Sequence, residues 1–171
     1  QSTKDNIRLL NLLRNAKKPT VGHCMGEIGF PTRILCMKYG APFMYAAFNT
    51  ERGLAPGLPS LADVKRIYPV STIDANTRVF GVIGDPVAQS FSPALHNALF
   101  QRDHLNAVYL PLRVPRGSLK QALEDYEQLG FEGYSVTIPH KEAAAANAKE
   151  IDERVVQSKA ANTLIRKADG F

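Results

Sequence analysis

Tryptophan is absent from these 171 residues, and cysteine is nearly so, with two copies. Cys24 and Cys36 are too few for a disulfide framework, and no CxxC or Cys/His ligand spacing accompanies them, so no metal site is expected. A reducing, cytoplasmic setting is the expectation that follows. Long apolar runs are missing as well: residues 79–83 and 143–146 fall far short of the ~18 residues that a membrane span requires. Residues 1–16 have neither the continuous apolar core nor the small-residue cleavage site of an export signal. Runs of one charge are few. The net charge of +5 sits in residues 1–75, with ten Lys/Arg against five Asp/Glu, while residues 76–171 hold eleven of each. That excess is scattered singly apart from Lys17-Lys18 and Lys65-Arg66 and has no aromatic ladder beside it, which argues against a nucleic-acid partner.

What is present is the composition of an ordinary globular chain, 44% hydrophobic and 22% charged, long enough for one or two compact units. Ile7, Leu9, Leu10, Leu12 and Leu13 lay out one face of a helix over residues 5–14, with Ser2, Thr3 and Asp5 as caps. Residues 19–25 and 43–48 read as strands, 31–38 as a helix stopped by Gly40, and 61–68 as a helix entered from Ser60. This alternation belongs to an α/β layer or barrel, and two strands alone cannot close one. Residues 69–77 are polar and aperiodic and lie where the charge balance changes. The boundary between units is expected there, dividing 1–75 from 76–171.

The second part alternates again, with strands over 78–83, 107–114, 133–138 and 162–166 and helices over 92–102, 118–128 and 141–149. Ser92 is the expected N-cap of the first of these helices, with Pro93 in its first turn. The chain opens inside one element and closes just after the Ala168-Asp169-Gly170 turn, so an internal piece of a longer protein is expected.

Residues 81–86 (GVIGDP) follow a strand and precede a helix, which is the place of a dinucleotide-binding loop. The pattern is not GxGxxG, and Pro86 removes a backbone N–H that a phosphate would need, so phosphate binding is rejected there. Ser90 and Ser92 stand two apart where loop meets helix. They suit a substrate carboxylate at a helix N-terminus; the plainer reading is one cap and one water-facing hydroxyl. Thr137-Ile138-Pro139-His140-Lys141 closes a strand and opens a helix at a sheet's carboxyl edge, where open α/β sheets bind ligands. Lys141 there either exchanges a proton with a substrate hydroxyl or is a solvated cation. Asn162, after Ala160-Ala161, either offers donor and acceptor to a hydroxylated ring or shapes a loop.

The ordered set VFGVIGDPVAQSFSP, GYSVTIPHK and AANT, over roughly residues 78–171, resembles the N-terminal substrate-binding domain of shikimate dehydrogenases. The resemblance implies an α/β substrate-binding fold and NADP-dependent reduction of 3-dehydroshikimate to shikimate. It implies that Ser90, Ser92 and Thr137 hold the shikimate carboxylate and ring, that Asn162 contacts the ring, and that Lys141 binds substrate and is the catalytic residue at the transferring hydroxyl. The family pairs that lysine with an aspartate of an NTD motif beyond AxNT and carries NADP on a Rossmann domain. Neither pattern occurs in these 171 residues, and Asp169 is not the equivalent aspartate.

Met25-Gly26-Glu27-Ile28-Gly29-Phe30-Pro31-Thr32-Arg33, Lys38-Tyr39-Gly40-Ala41-Pro42 and Leu54-Ala55-Pro56-Gly57 resemble the final third of a type I 3-dehydroquinate dehydratase, a (β/α)₈ barrel. That resemblance implies Arg33 as the clamp on the dehydroquinate carboxylate, a task suited to a bidentate guanidinium. The family's serine before and glutamine after the APG turn are Leu54 and Leu58 here. His23 reads as a core residue, and neither Lys17 nor Lys18 fits the family's Schiff-base lysine.

Dehydratase followed by dehydrogenase resembles the bifunctional enzyme with which plants and some bacteria run consecutive steps of aromatic amino-acid biosynthesis. The expectation is therefore a partial barrel segment joined to a substrate-binding domain, with small molecules as partners and neither reaction complete in these residues alone. The alternative is a sensor or repressor built from the same domains, which binds metabolites of the quinate and shikimate pathways without catalysis.

Overall fold

The computed structural model describes residues 2–49, 51, 55 and 57–171. Helix α1 (Thr3–Arg14) starts in a capping box, with the Ser2 N–H donating to the Asp5 carboxylate at 2.9 Å. Its apolar stripe, Ile7, Leu10 and Leu13, is buried, as the periodicity predicts.

Helix α2 (Gly26–Leu35) begins five residues before its expected start and carries Pro31 inside it. Proline is read as a first-turn residue because it lacks an N–H, yet this helix tolerates the missing bond to the carbonyl four residues back. Gly40, with φ at +90°, closes the turns that follow, and the Ala41 N–H reaches the Cys36 carbonyl at 3.0 Å. A side chain at that φ would be strained. Helix α3 (Leu61–Ile67) is entered from Ser60, whose hydroxyl accepts the Asp63 N–H at 3.1 Å.

The two strands expected in this part do not form. Residues 19–25 and 43–48 contribute no ladder among the described residues; the nearest thing is an isolated bridge between Ala47 and Ser60. Barrel strands are held by a neighbour on each side, and without those neighbours an apolar, β-prone segment has no partner for its backbone groups.

From Arg78 onward the alternation becomes a sheet. Strands β1 (Arg78–Gly84), β2 (Ala107–Arg113), β3 (Phe131–Val136) and β4 (Thr163–Ile165) lie in the order β2-β1-β3-β4. The first three are parallel and β4 is antiparallel to β3. Helices α4 (Ser92–Arg102), α5 (Leu119–Glu127), α6 (Lys141–Asn147) and α7 (Glu153–Ser158) fill the connections. Helix α7 was not expected: it has no fully buried residue and so no apolar period, and it starts where Asp152 accepts the Val155 N–H at 2.9 Å.

The sheet's two faces have different cover. Val79 and Ile83 of β1, Val108, Leu110 and Leu112 of β2, and Phe131, Tyr134 and Val136 of β3 join Leu10, Ile34, Leu35 and the α5 residues Leu119, Ala122 and Tyr126 in one large core. Helix α2 thus packs on β2, and α1 packs on α2 and α5. The opposite face holds a smaller cluster of Val82, Val87 and Tyr109 with Phe80 and Phe100. Here Asn97 of α4, fully buried, donates to the Tyr109 carbonyl at 2.9 Å and accepts the Tyr109 N–H at 2.8 Å. Strand β2 is an edge strand, and one side-chain amide supplies the partner that a neighbouring strand would.

Residues 69–77 are turns rather than a loose tether. Lys38 donates to the carbonyls of Ala75 and Thr77, at 2.6 and 2.8 Å, and the buried Thr77 hydroxyl reaches Asn106 at 2.7 Å. No helix among the described residues is long and apolar enough to cross a membrane.

Candidate active site

The carboxyl ends of β1, β2 and β3 and the entry to β4 are laced together by backbone bonds. Val114 N–H donates to the Gly84 carbonyl at 3.1 Å, Thr137 N–H to Ile83 at 2.9 Å, and Asp85 N–H to Ile138 at 3.0 Å. On the other side, Val136 N–H donates to Asn162 at 2.7 Å and Ala161 N–H to Lys141 at 2.9 Å. Residues from four separated stretches are therefore fixed at one corner of the sheet, the edge at which parallel α/β sheets take ligands. Gly84 is required there: a Cβ on it would sit 2.6 Å from Thr137 Cγ2.

Lys141 and Asn162 line one cavity of about 330 Å³, together with Asp152, Arg154, Ser158 and Ala160. Lys141 also faces a cavity of about 550 Å³ bordered by Arg116, Ile138, Pro139 and His140. Thr137, half-buried, is four residues from Lys141 on the same strand-to-helix turn. Ser90 lies on the loop that leaves β1 at this edge and Ser92 opens α4, and neither they nor Thr137 line these two cavities. Ser92 is not the N-cap of α4; that position is Phe91, and the Ser92 N–H instead donates to the Ser90 hydroxyl at 3.3 Å. The helix begins one residue earlier than the capping rule suggested, which frees the Ser92 hydroxyl from that duty.

The chemistry left unspent is informative. The hydroxyls of Ser92 and Thr137 and the ammonium of Lys141 make no hydrogen bond or ion pair with any described residue, and of the Asn162 side chain only the carbonyl oxygen is engaged, by the Thr163 hydroxyl at 3.0 Å. Donors of this kind, fixed at a sheet edge, suit an anionic, hydroxylated small molecule.

The residues sit on supports that sequence reasoning missed. His140 is buried, its Nε2 2.6 Å from the Val114 carbonyl. Arg113 donates to Asp85 at 2.9 Å and to Glu27 of α2 at 3.0 Å, tying the first part of the chain to the site's edge. Nothing in the spacing announces Arg113, because its two partners come together only in three dimensions. Buried Asn97 had a weak signal as an amide on the inner face of α4.

The loop after β1 does not offer a cradle for the pyrophosphate of a dinucleotide. In the 81–86 loop, Gly84 packs on Thr137 instead of opening a cradle, and the Asp85 N–H is already engaged.

Arg33 lies elsewhere, on α2. It is 2% exposed, its Nη2 is 3.5 Å from the Met25 sulfur, and its Nε and Nη1 have no partner. Burial lowers the pKa of its guanidinium, and burial followed by the Arg33 charge lowers that of the neighbouring His23 imidazole, which meets Tyr45 edge-on at 5.8 Å. Leu58 lines a cavity of about 250 Å³ with Glu27, Phe30, Tyr68 and Val87. Leu54 lies outside the described residues.

Residues 1–75 match the family model described as type I 3-dehydroquinase, and residues 82–164 match that of the shikimate dehydrogenase substrate binding domain. The chain is 38% identical over 167 residues to the chloroplastic bifunctional 3-dehydroquinate dehydratase/shikimate dehydrogenase of Arabidopsis thaliana, covering 97% of this chain and 27% of that protein. It is 44% identical over 101 residues to the shikimate dehydrogenase (NADP(+)) of Rubrobacter xylanophilus, covering 59% of this chain and 36% of that one. Among solved structures, the shikimate dehydrogenase of Aquifex aeolicus superposes with a TM-score of 0.55 at 36% identity, over 57% of this chain and 37% of that one. The chain thus spans between about a quarter and just over a third of the length of these relatives.

Proposed function

We propose, from a chain that joins a segment of the type I 3-dehydroquinase family to a shikimate dehydrogenase substrate-binding domain, that the whole protein dehydrates 3-dehydroquinate and reduces 3-dehydroshikimate to shikimate with NADP. The two units divide between residues 75 and 76, a reading supported by the end of one family match there and by the start of β1 at Arg78. It works in the cytoplasm, where its free thiols Cys24 and Cys36 stay reduced.

The observation that carries the dehydrogenase reading is the unpaired Lys141 ammonium sharing one cavity with the Asn162 amide at the end of the sheet. Ser90, Ser92 and Thr137 hold the substrate's carboxylate and ring by hydroxyl donors, and Asn162 orients a ring hydroxyl. Reduction of the ketone leaves negative charge growing on its oxygen. Lys141 stabilises that charge and delivers the proton that completes the hydroxyl; in the reverse direction it takes the proton back. We assign binding of the nicotinamide cofactor to other parts of the whole protein, a reading supported by the loop after β1, where Gly84 packs on Thr137 and the Asp85 N–H is engaged.

On the dehydratase side, Arg33 binds the dehydroquinate carboxylate. Its two unpartnered guanidinium nitrogens support this, since a buried cation without an anion is costly and is relieved by a charged ligand.

The test is Lys141→Ala in the whole protein, followed by shikimate-dependent formation of NADPH. Turnover falls by ~10²-fold or more, the scale of a lost acid–base group, while shikimate affinity stays within about tenfold. Unchanged turnover removes Lys141 from the mechanism.

A further inference from the structure

We infer that His140 is a positioning residue for Lys141, holding the start of α6 against the end of β2 through one imidazole hydrogen bond. The inference rests on the dehydrogenase reading above and adds a residue to it. A backbone carbonyl can only accept, so the 2.6 Å contact between His140 Nε2 and the Val114 oxygen requires the proton on Nε2. The ring is 1% exposed, and water does not compete for the bond.

The geometry makes this bond consequential. In the sheet, β2 and β3 are separated by β1, so the ring spans from the turn after β3 to the far side of the neighbouring strand. Val114 is anchored in turn, its N–H donating to Gly84 of β1 at 3.1 Å. Among the described residues, this is the one side-chain hydrogen bond made by residues 137–141. Lys141, next in sequence, has no partner on its ammonium, and its direction follows the backbone that His140 helps to pin together with the Ala161 N–H bond to the Lys141 carbonyl. A misplacement near 1 Å at a reacting centre costs up to ~10²-fold in rate, without a matching loss of binding.

The experiment uses the whole protein with His140→Phe, which keeps a ring of similar size without a donor, and His140→Gln, whose amide N–H reaches a similar distance. The expected result is a kcat lower by ~10-fold to ~10²-fold in the Phe variant, a KM for shikimate within about twofold, and a Gln variant within about threefold of wild type. A purely structural role would move KM and stability together with kcat in the Phe variant. If the Phe variant does not fold, nitrogen NMR of the wild-type imidazole decides: an Nε2–H tautomer slow to exchange supports the inference, and an Nδ1–H tautomer overturns it. Wild-type kcat in the Phe variant, or a Gln variant no better than Phe, also overturns it. A wild-type protein that turns over no shikimate overturns the dehydrogenase reading and this inference with it, whereas an active wild type with an indifferent Phe variant overturns the inference alone.

Discussion

Residues 78–165 carry a four-stranded hydrogen-bonded sheet, whereas residues 19–25 and 43–48, which flank α2, form no ladder among the described residues beyond the isolated bridge from Ala47 to Ser60. Both stretches have strand-like composition, and the difference is in their neighbours. Strand β1 finds β2 on one side and β3 on the other, seven and five residue pairs in register. The first part holds two strand candidates and no third element to sit between them. Its helices nonetheless find a place, because an amphipathic helix satisfies its own backbone and needs only an apolar surface. Ile34 and Leu35 are fully buried on α2, which takes that surface from β2, and Leu10 is fully buried on α1, which takes it from α2 and α5.

If the first part depends on the second in this way, damage to the sheet melts both. Phe131→Ala, which empties a fully buried site in the shared core, is expected to cost ~3–5 kcal/mol. Urea unfolding followed by far-ultraviolet circular dichroism and by tyrosine fluorescence should shift as one transition. A first part that melts separately would break the comparison.

Arg33 sharpens the contrast from the other side. Its burial with Nε and Nη1 unpartnered is a cost borne by the folded chain, so Arg33→Met is expected to raise stability by about 1–3 kcal/mol. The same substitution is expected to abolish dehydroquinate binding in the whole protein, if Arg33 holds the carboxylate as proposed. Chemical denaturation and ligand titration read these opposite signs, and a destabilised Met variant would contradict the account of the site.

The smallest effect is at α3. Ser60→Ala removes the cap at Asp63 N–H and is expected to cost about 1 kcal/mol. Asp63 is also pH-sensitive. The Ser60 hydroxyl, then Arg66, hold its carboxyl below the usual carboxylate range. The stability this supplies is complete above that range and is lost as pH falls through the folded value. Acid titration of Ser60→Ala should therefore show a shallower loss than wild type below the carboxylate range, measured by thermal unfolding.

The helix at residues 92–102 forms where Pro93 in its first turn, a local signal, marks a start, although its N-cap is Phe91 and not Ser92. The start of α3 at Ser60 was legible for the same reason. Helix α7 has no legible period because it sets only Val155, partly buried, against the core. In the site, Thr137, Lys141 and Asn162 stood out through motif and resemblance, while Arg113 and His140 took up their roles only through contacts 28 and 26 residues away.

Local signals such as caps, periods, glycine turns and the ordered motifs were written in the chain itself, since they depend on residues a few positions apart. Which strands paired, which face α1 and α2 covered and which side chain steadied Lys141 were decided by tertiary structure. Those outcomes depend on which surfaces and backbone groups are left for one another once every local element has formed.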